Sequence, residues 1–521
     1  MSVGVSIHVS GRRHAASIRL SVAGLALAML GGCATVSGPN SFDKVREVRD
    51  TAGPASAATL LEQSGGSDLL SQLEQGEMLR LAGRHQDSLK AFQQADVAVS
   101  KWEEDARSNL DRIAGMVLGS VVSERLTSYE GQDYEKVMLT VRMALGRMAL
   151  GDWENARVDI RRTHEREDLI ASLRDKEYAK VAEQARAEKA SSGFEPIKLS
   201  QVDGYPVKQI EDPQLGQLKN SYQNALSHYL AGFLYEALNE PGLAAAGYQK
   251  AAELAPGGRQ ALASLDRRAG RAMPGHTDVL FLVEYGEAPR LMAKAFAVPY
   301  GVGTGGNTQF FHMNIPYFED VTGSQPVPRQ ISVAGRSLKL EPIVDFGLMA
   351  NRSLKDRMPG LLLRGFIRGA AKAKLRDKAN EHSPLVGFGV TLATLVTEIP
   401  DDRTWRGLPQ RVYVARAQIP SGEHRLRIEG IGDIEPVKVA GRHAVVPLRL
   451  FGRKAIGTGV AMLGQPSALA VADSTPAVAA TSATAAGSDG PESATIAPTA
   501  EAAAPAPTSA GTRSRSRPVR K

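Results

Sequence analysis

The sequence predicts an α+β protein: an all-α array of helical repeats, then a β-containing α+β domain, then a disordered tail. Three observations predict it. Between residues 67 and 273, apolar residues recur at helical spacing and β-branched runs are few. From about His276 the pattern changes to short runs of strand character, beginning with DVLFLVEY at 278–285. After Lys454 no basic or aromatic residue occurs until Arg513, and the segment is mostly Ala, Pro, Ser, Thr and Gly. Such a composition cannot bury enough apolar surface to offset its ordering entropy. The chain has 521 residues, 43% of them hydrophobic, so the body ahead of the tail is long enough for two cores.

Residues 1–32 read as an export signal. Arg12, Arg13 and Arg19 make a positively charged start, followed by an apolar run from Leu20 to Leu30 and then Gly31 and Gly32. A run of about eleven residues is too short for a hydrocarbon core that needs roughly 20, and fits a signal-peptide core of roughly 7–15. Leu30-Gly31-Gly32-Cys33 contains the only cysteine of the chain and resembles the lipobox of bacterial lipoproteins. The resemblance implies that the Cys33 sulfur takes a diacylglyceryl group and that Cys33 becomes the first mature residue. Its new amino terminus is then acylated, with palmitate as the expected chain. Two or more chains make a stable membrane anchor where one is marginal. Ala34, in place of an aspartate, implies the periplasmic side of the outer membrane. With this thiol consumed, no disulfide is expected. Residues 33–66, rich in Ala, Ser, Gly, Thr and Pro with one charged patch of helical character from Asp43 to Asp50, are expected to be a lipidated tether.

The formal charge of +7 does not imply nucleic-acid binding. The signal and the last nine residues together hold eight of the 63 basic residues, leaving 55 against 56 acidic ones. A body so close to neutral lacks the electrostatic footprint for a phosphate backbone.

Residues 67–273 carry helical repeats of about 34 residues. The clearest copy is 226–257, where Gly232, Tyr235, Ala244, Tyr248, Ala251 and Pro256 fall on the tetratricopeptide (TPR) pattern. Gly232 lets the first helix approach the second, Ala244 and Ala251 are small contacts of the second helix, Tyr248 fills the gap and Pro256 closes the repeat. His228 stands where the early Trp belongs. A copy at 69–100 places Gly76, Leu79, Gly83, Ser88, Phe92 and Ala95 in the same frame. A third, at 144–163, places Ala144, Gly151, Ala156 and Ile160. The first two frames lie 68 residues apart, implying a degenerate repeat around 102–135. The next interval is 88, its excess falling in 191–216 where the helical pattern is interrupted. A generic α-hairpin bundle would use the same residues as core. A repeat array stacks into a curved surface that usually binds segments of other proteins.

In 276–455, ISVAGRSLKL (331–340) reads as a hairpin around Gly335, and 411–428 as two strands joined at Pro420-Ser421-Gly422. A helical stretch is expected from Leu348 to Thr397, broken near Pro384. Within it Arg364, Arg368, Lys372 and Arg376 recur every four residues. That face is either a basic surface for a membrane or anionic envelope polymer, or a solvated face above a packed one. PLVGFGVTLATLV (384–396) is too short to span a membrane and reads as a buried helix. GVGTGG (301–306) meets the dinucleotide spacing but is followed by NTQFFHMNIP, with no helix to meet a pyrophosphate. No two of the ten histidines are three or four residues apart, so no helix-borne metal pair is expected. Catalytic, cofactor and metal residues are therefore expected to be absent, and no cofactor is expected. The basic end of the 456–521 tail, RSRSRPVRK, is a candidate contact for lipopolysaccharide or peptidoglycan.

The order of lipobox, TPR-like helices and β-containing domain resembles a family of bacterial TPR lipoproteins of uncharacterised activity. Residues 134–165 and 401–428 carry that resemblance, which brings no catalytic residues. It implies a lipid-anchored, periplasm-facing scaffold in cell-envelope assembly or polymer export, with another envelope protein docked on the repeats. Two alternatives stay open. One is an envelope enzyme with its site in 276–455, for which Glu381, His382, Trp405, Glu423 and His424 are the candidates. The other is a structural tether to peptidoglycan or lipopolysaccharide.

Overall fold

The computed structural model describes residues 39–109, 128–192, 197–256, 258, 262, 265, 273–302, 308–323, 325–382 and 401–463. It is mixed α+β, 53% helical and 24% strand, with helices in the N-terminal part and sheets in the C-terminal part. Nine helices of the N-terminal part are described: α1 (Pro39–Ala52), α2 (Pro54–Ser64), α3 (Leu69–Leu81), α4 (His85–Ser108), α5 (Asp133–Ala149), α6 (Trp153–Ser192), α7 (Val207–Ile210), α8 (Ala225–Ala237) and α9 (Pro241–Leu254). Strands follow as β1 (His276–Tyr285), β2 (Arg290–Val302), β3 (Thr308–Glu319), β4 (Gln330–Val333), β5 (Arg336–Lys339) and β6 (Glu341–Asp345). After α10 (Phe346–His382) come β7 (Arg411–Pro420), β8 (Gly422–Ile428), β9 (Gly432–Val439), β10 (His443–Phe451), β11 (Lys454–Gly457) and β12 (Ala461–Met462).

Three helical hairpins, α3/α4, α5/α6 and α8/α9, share one design. Each turns through a residue in the left-handed region: Gly83 (φ 78°), Gly151 (φ 81°) and Asn239 (φ 64°). These turns are spaced 68 and 88 residues apart, the intervals of the sequence frames. Inside the first hairpin Gly76 receives the Phe92 ring, and inside the third Gly232 receives Tyr248. A Cβ on either glycine would lie 2.6 Å or 2.7 Å from the ring. At the equivalent places the middle hairpin has buried Ala144 and Ile160, a smaller knob for a shallower hole. Tyr235, Ala244 and Ala251 are also buried, and Pro256 ends its repeat just after α9.

Residues 39–64 depart from the tether expectation. They form α1 and α2, whose Val45, Ala57, Ala58 and Leu61 are buried against Met78, Leu79 and Leu81 of α3. Alanine-rich composition suggested a linker, but alanine is also the strongest helix former. Pro54, at the first turn after Gly53, starts the second of these helices where its missing N–H costs nothing. Residues 33–38, with Cys33, lie outside the described residues.

The C-terminal part builds a six-stranded sheet with the path β11-β10-β1-β7-β6 and β12 on β10, plus a four-stranded sheet β5-β4-β8-β9 and the hairpin β2-β3. β1 pairs in parallel with β10 and antiparallel with β7. Side chains alternate across β1. Val279, Phe281, Val283 and Tyr285 join Ile331, Leu426, Ile428 and Val439 of the smaller sheet, while Leu280 and Leu282 join the core of the helices. The six-stranded sheet is thus a middle layer between helices and the smaller sheet, which is why DVLFLVEY reads as continuously apolar.

Two further expectations change, and two hold. The helical and strand regions do not keep separate cores: one cluster runs from Leu69 and Phe92 to Val412 and Ala461. Ala334 (φ 50°) and Gly335 (φ 71°) turn β4 into β5, as the sequence suggested. The two strands expected in 411–428 are β7 and β8, joined at Ser421, and β8 leaves for the smaller sheet. Strand order also outlasts the expected tail boundary at 456, since Ala461 and Met462 of β12 are buried on β10. The GVGTGG segment spans the end of β2 and residues outside the described set.

Candidate functional site

The sheet face that meets the helices is apolar in the middle and charged at both ends. The strand period of two produces this arrangement. Asp278 and Glu284 share a face with Leu280 and Leu282 on β1, Arg416 with Val412 and Val414 on β7, and His443 and Arg449 with Val445 on β10.

At one end, α3 supplies Glu77 and Arg80 and α5 supplies Arg142. Arg80 Nη2 lies 2.6 Å from both Glu77 Oε1 and Glu284 Oε2. Arg142 pairs with Glu284 and reaches Glu77 at 3.1 Å. Burial would raise the Glu284 carboxyl, but Arg142, Arg80 and Arg449 hold it down to about 2. Arg449 is fully buried, and its Nη2 donates to the Leu408 carbonyl at 3.2 Å. Among the described residues its Nε and Nη1 make no hydrogen bond, and its carboxylates stand off at 3.7 and 4.0 Å. Burial, reinforced by the like charges of Arg142 and Arg80, lowers its pKa to about 10. The network extends outward: Arg46 pairs with Glu74 at 3.0 Å, and Arg49 with Glu287. Glu74 Oε1 also accepts the backbone N–H groups of Arg406 and Gly407, while Glu135 Oε1 accepts that of Trp405 at 2.8 Å.

At the other end Arg416 of β7 enters the third hairpin. Its Nε and Nη2 donate to Asp278 at 3.0 and 2.6 Å, Nη2 reaches Glu236 at 2.9 Å, and Nη1 donates to Tyr248 Oη at 2.8 Å. The guanidinium carbon lies 4.9 Å from the Phe233 ring centroid and 5.8 Å from that of Tyr248. Burial lowers the pKa of neighbouring His443, whose buried Nδ1 has no hydrogen-bond partner among the described residues. Ligand-type atoms of Glu236, Asp278 and His443 lie within 4.8 Å of one another. Yet the Arg416 guanidinium already stands between the two carboxylates, so a metal ion would have to displace a buried, fully engaged cation. This donor set does not fit a resident metal. Between the ends, His164 and His228 stack at 4.6 Å, with His228 Nε2 3.0 Å from Glu167 Oε2.

Chemically these clusters hold elements together. Their carboxylates and guanidiniums face one another across helix–strand boundaries, which leaves them poorly placed to meet a substrate. The sequence reading missed Glu77, Arg80, Arg142, Glu284 and Arg449. The available signal was a charge sitting on an apolar period, as Arg142 does in VMLTVRMALGRM and Glu284 in DVLFLVEY.

Of the proposed enzyme set, the members with described side chains are not brought together. Trp405 is fully buried, 5.8 Å from Phe92, whereas Glu423 is exposed on β8 and His424 Nε2 sits 2.6 Å from the Pro420 carbonyl. Glu381 and His382 end α10, where side chains lie outside the described residues. The basic stripe also changes. Arg364 is buried, with Nη1 close to Gly360, so it cannot belong to a solvated face; Arg368 is half-buried. Lys372 and Arg376 lie on α10 beyond its described side chains, and 384–396 and the tail end lie outside the described residues.

Among the described residues no helix is long and apolar enough to cross a membrane. Comparison with protein-family models, curated proteins and solved structures finds no match to this chain.

Proposed function

We propose that this chain is a lipid-anchored, periplasm-facing outer-membrane scaffold without catalytic activity, acting in cell-envelope assembly or polymer export. In this reading the hairpins are TPR-like repeats and the anchor is lipidated Cys33. The observation that carries it is where the first helix of each hairpin goes: α3, α5 and α8 are buried along nearly their whole length. In repeat arrays such helices line the inner surface; here the strand region covers them. The face left for a partner protein is that of the second helices, where Val97 is 70% and Leu243 51% exposed.

The test has two arms in intact cells. Photo-crosslinking residues placed at Val97, Val158 and Leu243 should each capture the same envelope protein, and the capture should weaken when Cys33→Ser releases the chain to the soluble periplasm. Processed Cys33→Ser protein that stays in the outer membrane overturns the anchor. No shared adduct at the three positions overturns the scaffold.

A further inference from the structure

A cavity of about 510 Å³ lies between the second half of α6, the 197–211 segment and α10. That volume falls within the roughly 300–1,000 Å³ of small-molecule pockets. Its wall is mainly aliphatic, with Val181, Ile210, Met358, Leu362 and Leu363 all buried. An aliphatic wall of this kind gains by taking an apolar guest out of water.

Its charged lining is less balanced than it looks. Glu177, Glu211, Asp356, Lys355 and Arg357 all contribute. Glu177 is paired with Arg174, and Asp356 with Arg352 at 2.8 Å. Two of the three carboxylates are thus engaged by cations outside the lining, while Arg357 also feels Asp133 beyond the lining and Lys355 feels Asp356. Arg357 Nε is buried without a hydrogen-bond partner among the described residues. Pro359 lacks an N–H, so the Lys355 carbonyl loses its intrahelical donor, and both residues line the cavity. Gly360 keeps α10 close to α6 at this point, since a Cβ there would sit 3.2 Å from Val181.

We propose that this cavity binds a single aliphatic chain carrying an anionic head, with the chain along the α6–α10 wall and the head at Arg357 and Lys355. A free fatty acid and a lysophospholipid share this chemistry. The proposal goes beyond the scaffold reading and does not depend on it.

A photoactivatable palmitate added to the purified full chain tests it. Adducts should map to 177–211 and 355–363, and excess palmitate should compete where hexadecanol does not. Lysophosphatidylglycerol in the same competition separates the sources: stronger competition than palmitate assigns the lipid, weaker assigns the free acid. Arg357→Gln should weaken palmitate about tenfold while leaving hexadecanol unchanged. Ala182→Trp, at an exposed position of the lining, should abolish labelling without requiring the core to repack. Labelling outside these segments, equal competition by hexadecanol, or undiminished labelling of Ala182→Trp would each overturn the proposal.

Discussion

Arg80, Arg142 and Arg449 face Glu77 and Glu284, three guanidiniums to two carboxylates in a fully buried cluster. Arg449 is the surplus cation, with two of its nitrogens unpartnered. Removing one partner of a buried pair costs about 3–5 kcal/mol, whereas replacing a badly paired charge with an apolar side chain is often neutral or stabilising. Arg142→Met should therefore lower the urea midpoint by several kcal/mol equivalents, while Arg449→Met should stay within about 1 kcal/mol of the parent. Equal losses in the two variants would show that Arg449 is held by more than these contacts. The sequence shows each of these charges on an apolar period; it does not show that they meet. Glu77 and Arg142 are 65 residues apart, and Arg80 hydrogen-bonds Thr458 across 378.

At the scale of elements, the hairpins depend on backbone approach where small residues sit. A Cβ on Gly247 would lie 2.7 Å from the Gly232 backbone nitrogen, which cannot move without shifting α8. Gly242, one turn earlier in α9, has open space around it. Gly247→Ala should thus destabilise by about 1–3 kcal/mol through overpacking. Gly242→Ala should stabilise by up to about 1 kcal/mol through helix propensity. Chemical denaturation of both variants checks the opposite signs. The contact of Gly232 with Tyr248 was legible from the spacing of the sequence frame, whereas the left-handed Asn239 was not. Of 39–64, only the charged helical patch at 43–50 was legible; the helix over 54–64 was not, because an Ala/Ser/Thr-rich segment suits a linker and a helix equally until its apolar side meets α3.

For the whole molecule, one core joins helices and sheet even though a body of this size often divides into domains. Both ends of the seam are tied by buried ion pairs and the middle by aliphatic contacts. Unfolding of the described body should accordingly be a single event. The three tryptophans are well placed to report it: Trp102 and Trp153 sit in the helices, and Trp405 in the strand region against Phe92. Far-UV circular dichroism and the fluorescence of a variant keeping only Trp405 should give coincident midpoints. Two separated midpoints would mean that the halves fold independently.

The sequence by itself determined what depends on local periodicity: helical character within 67–273, strands from 276, a hairpin at Gly335, and glycines in one frame at Gly83 and Gly151. Each follows from side-chain spacing or from a backbone conformation that few residues adopt. Only the tertiary structure decided that the sheet covers the inner helices, that β7 and β8 part into different sheets, and that Arg364 is buried. It also decided that the charges of α3, α5, β1 and β10 meet in one buried cluster. Those outcomes rest on contacts between residues far apart in the chain, where burial removes water and makes partner choice a matter of geometry.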